Sequence, residues 1–475
     1  MRVGIFRVGR GLLAGCCIVY LIFGFFRIDT HRECVLIKGC NFMEKEKEMA
    51  RYALDYALRN GCQQVRALFS AGEENEVEVR DGKVDKLHHS GGCQLSLSLF
   101  VDGAYSTIST NRLERGELER FIDKGIINTR FLEKDPYRSL PEKEMYYCGE
   151  MNDFGLYDAG FADIDVDGKI AVAKGVFDEI VDERVISAMA GVADTETYNY
   201  LIDSNGFEGE KRRTLYMSTA QVSVLGDGDE RPEDYYYVNA QHWGRLQKEG
   251  IGVETLNRTI AKIGACRVDS GVYDIVVDRR VASTLVSPLI SAVRGEALHM
   301  KSSFLLDMKG EKIGSDKLTM VDNPRQYDKA GAKLFDNEGV AVVGMPIVEG
   351  GVLKNYYISN YMSKKMGVPM TQSGSTIIDF GLGDSDTAGL VRNLSRGLYI
   401  TGFNGGNCNG TTGDFSFGIE GYWVENGVIV KPVNEMLMTG NMLELWSSLV
   451  DSSNDPLGYT AWKLPSLLFA GVVVN

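Results

Sequence analysis

The most informative segment of the C-terminal half is Arg396-Gly-Leu-Tyr-Ile-Thr-Gly-Phe-Asn-Gly-Gly-Asn-Cys-Asn-Gly-Thr-Thr-Gly-Asp-Phe-Ser-Phe-Gly-Ile-Glu-Gly-Tyr-Trp-Val-Glu-Asn-Gly427. It predicts a short apolar strand around Ile400, a flexible glycine-dense connection from Gly405 to Asp414, and a second strand from Phe415 to Val424. Asn426-Gly427 then favours a tight hairpin turn. Glycine at this density lets the backbone approach another backbone or a ligand closely.

The order of residues around this stretch is more specific than its glycine content. With Glu435, Thr439-Gly-Asn-Met442 and Asn454-Asp455 downstream, it closely resembles the C-terminal signature of the TldD/PmbA family, also called modulators of DNA gyrase. Upstream, Glu78-Val-Arg-Asp-Gly82 is similar to the family's N-terminal domain, and the resemblance covers Met43 to Leu468. The family pairs a zinc metalloprotease subunit, TldD, with a related subunit, TldE or PmbA, that carries no zinc site.

The length of 475 residues exceeds what one hydrophobic core usually serves, so we expect two domains. The fold class is α+β: a mixed helix and antiparallel-sheet N-terminal domain at residues 43–255, followed by a β-rich C-terminal domain at residues 256–475. Amphipathic spacing predicts helices at Glu44–Arg59, Gly116–Asn128 and Ala171–Ile186, among others. Strict alternation of leucine from Gln94 to Val101 predicts a strand with one buried face.

A net charge of −14 opposes attraction to phosphate backbones, so we expect no direct contact with nucleic acid. The densest basic run in the body of the chain is Lys211-Arg212-Arg213, which follows Glu208 and Glu210 and is interpreted as a solvated turn.

The nine cysteines include no C-x-x-C pair and are irregularly spaced. This pattern favours reduced thiols in the cytoplasm over a disulfide framework or a zinc knuckle. They are Cys16, Cys17, Cys34, Cys40, Cys62, Cys93, Cys148, Cys266 and Cys408.

Residues 1–42 form an N-terminal extension with two interpretations. Three arginines precede an uncharged apolar run from Gly11 to Phe26, which is anchor-like but short for a membrane-spanning helix. The alternative, which we favour, is an untranslated or non-functional extension, because Met43 opens an ordinary cytosolic beginning. We therefore expect no membrane attachment.

The family's zinc site is the place where this sequence departs from TldD. The resemblance implies an H-E-x-x-x-H motif on a helix and a late cysteine as third ligand in the catalytic subunit. Counting back from Ser302-Ser303 and Leu318–Asp322, the motif falls on Val286-Ser-Pro-Leu-Ile-Ser291, which has neither histidine nor glutamate. Pro288 suits a helix start, and no cysteine follows Cys408. We therefore expect no cofactor in this chain and zinc in the partner subunit.

Other candidate chemistry is weaker. Glu296 and His299 stand three residues apart on a predicted helix, but they are too few to hold zinc. The rings of His88 and His89 point to opposite faces of a predicted strand. Cys408 has no histidine near it in sequence, so it is expected to be a small buried hydrophobe.

The resemblance therefore implies a non-catalytic TldE/PmbA-like subunit, a pseudoenzyme that forms a heterodimer with a TldD-like zinc protease and contacts unfolded peptide substrates. We predict that Lys301, Ser302 and Ser303 face the peptide chamber, although a helix end capped by serine explains them equally well. Gly405 and Gly406 are the predicted close-approach loop. Two alternatives stay open: an active metallopeptidase with atypical ligands, and a homodimeric peptide-binding or scaffold protein.

Overall fold

The computed structural model describes residues 40–475, with side chains from Met43 onward. The predicted N-terminal extension therefore lies outside the described residues, except that the first helix already begins at Cys40. No helix within the described range combines the length and the apolar character that crossing a lipid bilayer requires.

The N-terminal part is one antiparallel sheet with helices on one face, in the order β3-β2-β1-β4-β5-β6. Its strands are β1 Gln64–Arg80, β2 Lys83–Val101, β3 Ala104–Thr110, β4 Val185–Asp203, β5 Glu208–Val224 and β6 Glu233–Ala240. Its helices are α1 Cys40–Arg59, α2 Arg115–Arg130, α3 Val166–Asp178 and α4 Ile251–Ile260.

Alternation along the strands places the apolar side chains on the helix-covered face. Leu95, Leu97 and Leu99 of β2 are fully buried against α1 and α2, as the sequence predicts. At the far end of the same sheet, α3 and α4 cover Ala190 and Tyr216. The opposite face of the sheet packs against the C-terminal part, where Leu201 and Phe335 belong to one hydrophobic cluster.

Two boundaries differ from the sequence expectations. The predicted helix Ala171–Ile186 begins earlier, at Val166, where the Asp165 side chain accepts a hydrogen bond from Gly168 N, and it ends at Asp178. The predicted domain boundary at residues 255/256 falls inside α4. Because Leu256 packs on Val222 and Val224 of β5, this whole helix belongs to the N-terminal sheet.

The C-terminal part contains two sheets and short helices. The first sheet has the order β10-β9-β8-β11-β16, and the second β14-β13-β12-β7-β17-β15. The strands are β7 Gly271–Val277, β8 Met320–Asp322, β9 Met345–Glu349, β10 Val352–Leu353, β11 Ile378–Phe380, β12 Arg396–Cys408, β13 Asp414–Glu425, β14 Val428–Asn441, β15 Leu449–Ser452, β16 Trp462–Lys463 and β17 Leu467–Val474. The helices are α5 Ser283–Ala292, α6 Gly295–His299, α7 Asn360–Met366, α8 Thr387–Arg392 and α9 Met442–Ser447.

A pairing between β14 and β17 closes the second sheet into a small barrel, with Met438 opposite Val474. Its core continues without interruption into α5 and the first sheet. The predicted hairpin turn at Asn426-Gly427 is present, with φ of 51° and 75°. The α+β class, with a mixed N-terminal part and a β-rich C-terminal part, is confirmed.

Candidate functional site

Helix α5 occupies the place where the resemblance puts the zinc motif, and it is an apolar core element. Val286 is fully buried, and Leu289 and Ile290 are 1% and 5% exposed. These side chains pack into the main C-terminal core, together with residues of the barrel and of the first sheet. Side chains buried in this way carry no polar atoms, because an unpaired polar atom in the core would be costly. A zinc ion needs nitrogen, oxygen or sulfur ligands, so these side chains cannot coordinate it.

The sequence predicted that Pro288 begins a helix. In the structure, Pro288 is instead the sixth of the ten residues of α5. A proline there removes one backbone hydrogen bond, the one that its nitrogen would donate to the carbonyl of Thr284. The neighbouring core contacts of Leu285 and Leu289 hold the helix in place despite that loss.

The residues present do not fit a zinc ion. Within residues 43–475, no group of three or more His, Cys, Asp or Glu side chains is arranged to hold a metal. Glu296 and His299 lie on the short helix α6, where Arg294 approaches Glu296 at 3.8 Å and His299 is exposed. No zinc-activated water can therefore be assigned to a site within residues 43–475.

The predicted chamber residues follow directly after α6 and form its C-terminal cap. Ser302 N donates to Ala297 O at 2.9 Å and Lys301 N to Leu298 O at 3.1 Å. Lys301 has a positive φ of 54°, in the position that glycine usually takes in this motif. Its side chain is exposed.

Ser303 is 5% exposed and has a structural role. Its hydroxyl donates to Ala292 O at 2.6 Å, at the end of α5, and accepts from Leu305 N at 2.9 Å. It ties the end of α5 to the chain that follows α6. Of the three predicted chamber residues, Lys301 is exposed, Ser302 is half-buried and Ser303 is buried, so Lys301 is the most accessible to another molecule.

The predicted chamber residues and the glycine segment lie side by side, because Phe304 N donates to Gly410 O at 2.8 Å. The glycine segment itself is not a flexible connection. Gly405 and Gly406 lie within β12, at a bulge in its pairing with β13, and the turn is confined to Asn409–Gly413. This end of the β12–β13 hairpin is exposed.

The two glycines differ in what surrounds them. A Cβ on Gly406 would lie 2.2 Å from Ser416 O and 2.6 Å from Phe417 Cα, whereas a Cβ on Gly405 would meet nothing within 4 Å. Glycine at 406 is thus required by the hairpin itself. Gly405 is the residue for which close approach to another molecule stays a prediction.

A cleft of ≈ 400 Å³ separates the N-terminal sheet from the barrel. A lysine–glutamate ion pair crosses it, with Lys262 Nζ 2.8 Å from Glu420 Oε1 of β13. On the N-terminal side, Asp234 lies 3.3 Å from Lys262 and 3.2 Å from Arg258, and these pairs fix the position of the Lys262 side chain.

Three tyrosines form a row close to the cleft. Tyr235 and Tyr237 project from β6, with ring centroids 6.5 Å apart and nearly parallel planes, and Tyr237 meets Tyr459 edge-on at 6.0 Å. Burial raises the pKa of all three phenols, so each is a neutral hydrogen-bond donor at neutral pH. Because β6 is the last strand of its sheet, its outer backbone edge has no strand partner among residues 40–475.

The basic run was misinterpreted as a solvated turn. It lies in β5, where Lys211 and Arg213 are half-buried on the face that meets the C-terminal part, and Arg212 is exposed. Lys211 Nζ donates to Phe335 O at 2.7 Å, and Arg213 donates to the carbonyls of Ala330 and Ala332. The period of two along a strand was the available signal, because it places Lys211 and Arg213 together and Arg212 opposite.

The tyrosine row was also missed by the sequence analysis. Its signal is the run Tyr235-Tyr236-Tyr237 in a segment with β propensity. The side of this strand that meets the C-terminal part is set by contact with Tyr459, more than 200 positions away, and no local pattern around residues 235–237 specifies that contact.

Comparison with known proteins places this geometry in a family. The model described as PmbA/TldA metallopeptidase C-terminal domain matches residues 270–475, and the model described as PmbA/TldA metallopeptidase domain 1 matches residues 65–128. The chain is 24% identical over 386 residues to metalloprotease PmbA of Escherichia coli O157:H7, covering 80% of this chain and 85% of that protein.

Solved structures agree. A crystal structure from Bacteroides thetaiotaomicron, described as a modulator of DNA gyrase, is 46% identical, with a TM-score of 0.89 over 91% of this chain and 99% of the other. TldE from Thermococcus kodakarensis shares the fold, with a TM-score of 0.76 over 90% of this chain and 99% of that one, at 18% identity. The chain therefore belongs to the TldD/PmbA family, whose members are named as metalloproteases and as modulators of DNA gyrase.

Proposed function

We propose that this chain is the non-catalytic, TldE/PmbA-like subunit of a TldD/TldE-type zinc metalloprotease that processes unfolded peptides. The observation that carries the proposal is the buried apolar face of α5 at the place of the zinc motif. A side chain that activates water must reach solvent and substrate, and Val286, Leu289 and Ile290 do neither. The zinc ion would be held by the TldD-like partner.

The contribution of this subunit would be to enclose and hold the peptide. The outer edge of β6 offers unpaired backbone groups, and main-chain pairing with an extended peptide has little sequence preference. Tyr235 and Tyr237 supply flat, amphipathic contact area beside that edge. The exposed end of the β12–β13 hairpin, with Gly405 and the neighbouring Lys301, is the proposed surface facing the partner or the chamber.

The cytoplasm is the proposed location. The cysteines with described side chains form no disulfide among the described residues, and Cys62 and Cys93 are buried whereas Cys148 and Cys266 are exposed. Exposed unpaired thiols suit a reducing compartment. The net charge of −14 supports a peptide substrate over nucleic acid.

The test is reconstitution with a TldD-like subunit that carries the H-E-x-x-x-H motif. Each protein is incubated alone and as an equimolar mixture with an unfolded fluorogenic peptide. We expect this chain alone to be inactive, and the mixture to cleave at least about tenfold faster than the partner alone, a difference of about 1.4 kcal/mol in activation free energy. Replacing the motif glutamate of the partner with glutamine is the control and should abolish cleavage.

Two outcomes would overturn the proposal. Chelator-sensitive cleavage by this chain alone, with stoichiometric metal in the purified protein, would indicate an active metallopeptidase with atypical ligands. A stable homodimer that takes up no partner, observed by light scattering on the mixture, would indicate a self-assembled scaffold.

The peptide surface has its own prediction. Tyr235→Ala is expected to raise the KM of the reconstituted complex several-fold and to leave kcat unchanged, because the chemistry takes place in the partner. Tyr137→Ala is the matched control, since Tyr137 is 40% exposed and Tyr235 is 41% exposed. Equal KM values for the two variants would remove the tyrosine row from the peptide site.

A further inference from the structure

A second cavity, of ≈ 380 Å³, lies where the N-terminal sheet meets the segment around residues 330–336, and we call it the basic cavity. Its volume is within the usual range for small-ligand sites, about 300–1,000 Å³. Lys211, Arg213 and Lys333 line it, together with Lys47 and Arg212.

Two of these cations are already neutralised. Lys47 lies 3.0 Å from Glu44 and 2.8 Å from Glu210, and Arg212 lies 2.5 Å from Glu196. The other three cations, Lys211, Arg213 and Lys333, form no ion pair with a carboxylate of the described residues, and the hydrogen bonds of Lys211 and Arg213 go to backbone carbonyls. The basic cavity therefore has an excess of positive side chains, for which the buried Asp336 carboxylate is only a partial counter-charge.

Hydrogen-bonding capacity remains after the protein contacts are counted. Lys211 uses one of its three donors on Phe335 O, and Arg213 uses two of its five on Ala330 and Ala332. The Lys333 ammonium makes no hydrogen bond to the described residues. These free donors suit an oxyanion, which accepts several charge-assisted hydrogen bonds at once.

The charges that face this cluster do not neutralise it. Burial, and then repulsion from Arg213 and Lys333, lower the pKa of Lys211 to about 7, and Asp336 opposes the shift only in part. Burial also lowers the pKa of Lys333, against the attraction of Asp336 and Asp322. Asp322 is already engaged by Tyr357 and Thr376. Of the remaining charged groups around the cavity, Asp153 accepts from Gly155 N and is exposed.

A strand edge runs past the same residues. Its part from Glu208 to Arg212, the free edge, has no strand partner among the described residues, whereas Thr214 N donates to Leu156 O at 2.9 Å. The pairing of β5 with β6 ends at Tyr216, so the part of β5 from Glu208 to Leu215 pairs with only one strand, β4, within the described chain. An unpaired edge beside a carboxylate-binding group is the arrangement that captures the end of an extended peptide, since the edge binds its main chain.

We propose that the basic cavity binds the C-terminal carboxylate of an extended peptide, held by Lys211, Arg213 and Lys333, with its last residues paired along the free edge of β5. The site lies within this chain and does not depend on a partner subunit. It therefore stands or falls separately from the heterodimeric protease, and its test uses this chain alone.

The experiment is calorimetric titration of the full chain with three probes: N-acetyl-Ala-Val-Val acid, the same peptide as its C-terminal amide, and inorganic phosphate. We expect the acid to bind and the amide not to bind. Binding of phosphate with the same affinity as the acid would mean a general oxyanion site and would overturn the peptide assignment. If none of the three probes produces a binding signal, the site itself is ruled out.

Variants localise the binding. Lys333→Gln is expected to lower the affinity for the peptide acid about tenfold, the effect of losing one charge-assisted hydrogen bond. Lys333→Arg should keep most of the affinity. Lys83→Gln is the matched control, because Lys83 is exposed on the β1–β2 hairpin and carries the same charge. Equal affinities of Lys333→Gln and Lys83→Gln would contradict the proposal. Thermal unfolding of each ligand-free variant reports whether it is folded.

The dependence on pH gives an independent readout. The Lys211 ammonium must be protonated to hold the carboxylate, and in the free protein it loses its proton as the pH rises through about 7. Affinity for the peptide acid should therefore fall between pH 7 and 9, and binding at pH 8 should take up protons. A measurement in two buffers with different ionisation enthalpies detects this uptake. Proton release, or none, would exclude Lys211 from the site.

Discussion

Lys169→Met is expected to lower the free energy of unfolding of the N-terminal part by about 3–5 kcal/mol, because it leaves a buried carboxylate without its partner. Lys169 Nζ of α3 lies 2.6 Å from Asp194 Oδ2 of β4, and the two side chains are 7% and 0% exposed. Asn75 Nδ2 donates to the other carboxylate oxygen at 2.8 Å, but an amide brings no compensating charge.

Lys174→Met is the matched control, since Lys174 lies on the exposed side of the same helix. It should change stability by no more than about 0.5 kcal/mol. The measurement is urea unfolding followed by circular dichroism. Adding Asp194→Asn to Lys169→Met should recover part of the loss. Equal midpoints for the two single variants would show that the pair is not buried in solution.

Gly406→Ala is expected to destabilise the barrel by about 2–4 kcal/mol, and Gly405→Ala by about 1–2 kcal/mol. Both glycines have strongly positive φ, 117° and 119°, so both substitutions strain the backbone. At position 406 the new Cβ also collides with the backbone of β13, at Ser416 O and Phe417 Cα, and the two strands have to separate. The difference between the two variants measures that collision.

The measurement is the midpoint of urea unfolding followed by tryptophan fluorescence, because three of the four tryptophans (Trp423, Trp446 and Trp462) lie in the C-terminal part. Reconstituted activity of the folded Gly405→Ala variant then reports on contact with the partner or the peptide, because its Cβ lies more than 4 Å from every other described residue except its chain neighbours. Equal loss of stability in both variants would show that the bulge relaxes around the added methyl groups.

Local patterns predicted the elements that depend on neighbouring residues. The alternation of Leu95, Leu97 and Leu99 predicts a strand with one buried face, and the turn at Asn426-Gly427 follows from residues that tolerate positive φ. The helix Glu44–Arg59 is confirmed within α1, because its apolar face follows the helical period. The predicted helix boundaries were less accurate. The helix predicted at Ala171–Ile186 is Val166–Asp178 in the structure, because it begins at the Asp165 cap.

The candidate site was predicted only in part. The sequence placed the missing zinc motif on α5, and the structure shows why those positions are apolar: they fill the core between the barrel and the first sheet. The sequence could not distinguish the role of Gly405 from that of Gly406, because the two residues are identical and adjacent. The distance to Ser416 O on the facing strand separates them.

The family, the α+β class and the absence of metal ligands at the place of the zinc motif follow from residue identities in a fixed order, so they can be inferred without coordinates. The closure of the barrel, where Met438 meets Val474, and the burial of Lys211 and Arg213 against the carbonyls of residues 330–335 become known from tertiary contacts. Both depend on pairs of segments far apart in the chain. The local pattern of either segment fixes which face it presents but not what that face meets, so the partner is chosen by packing of the whole molecule.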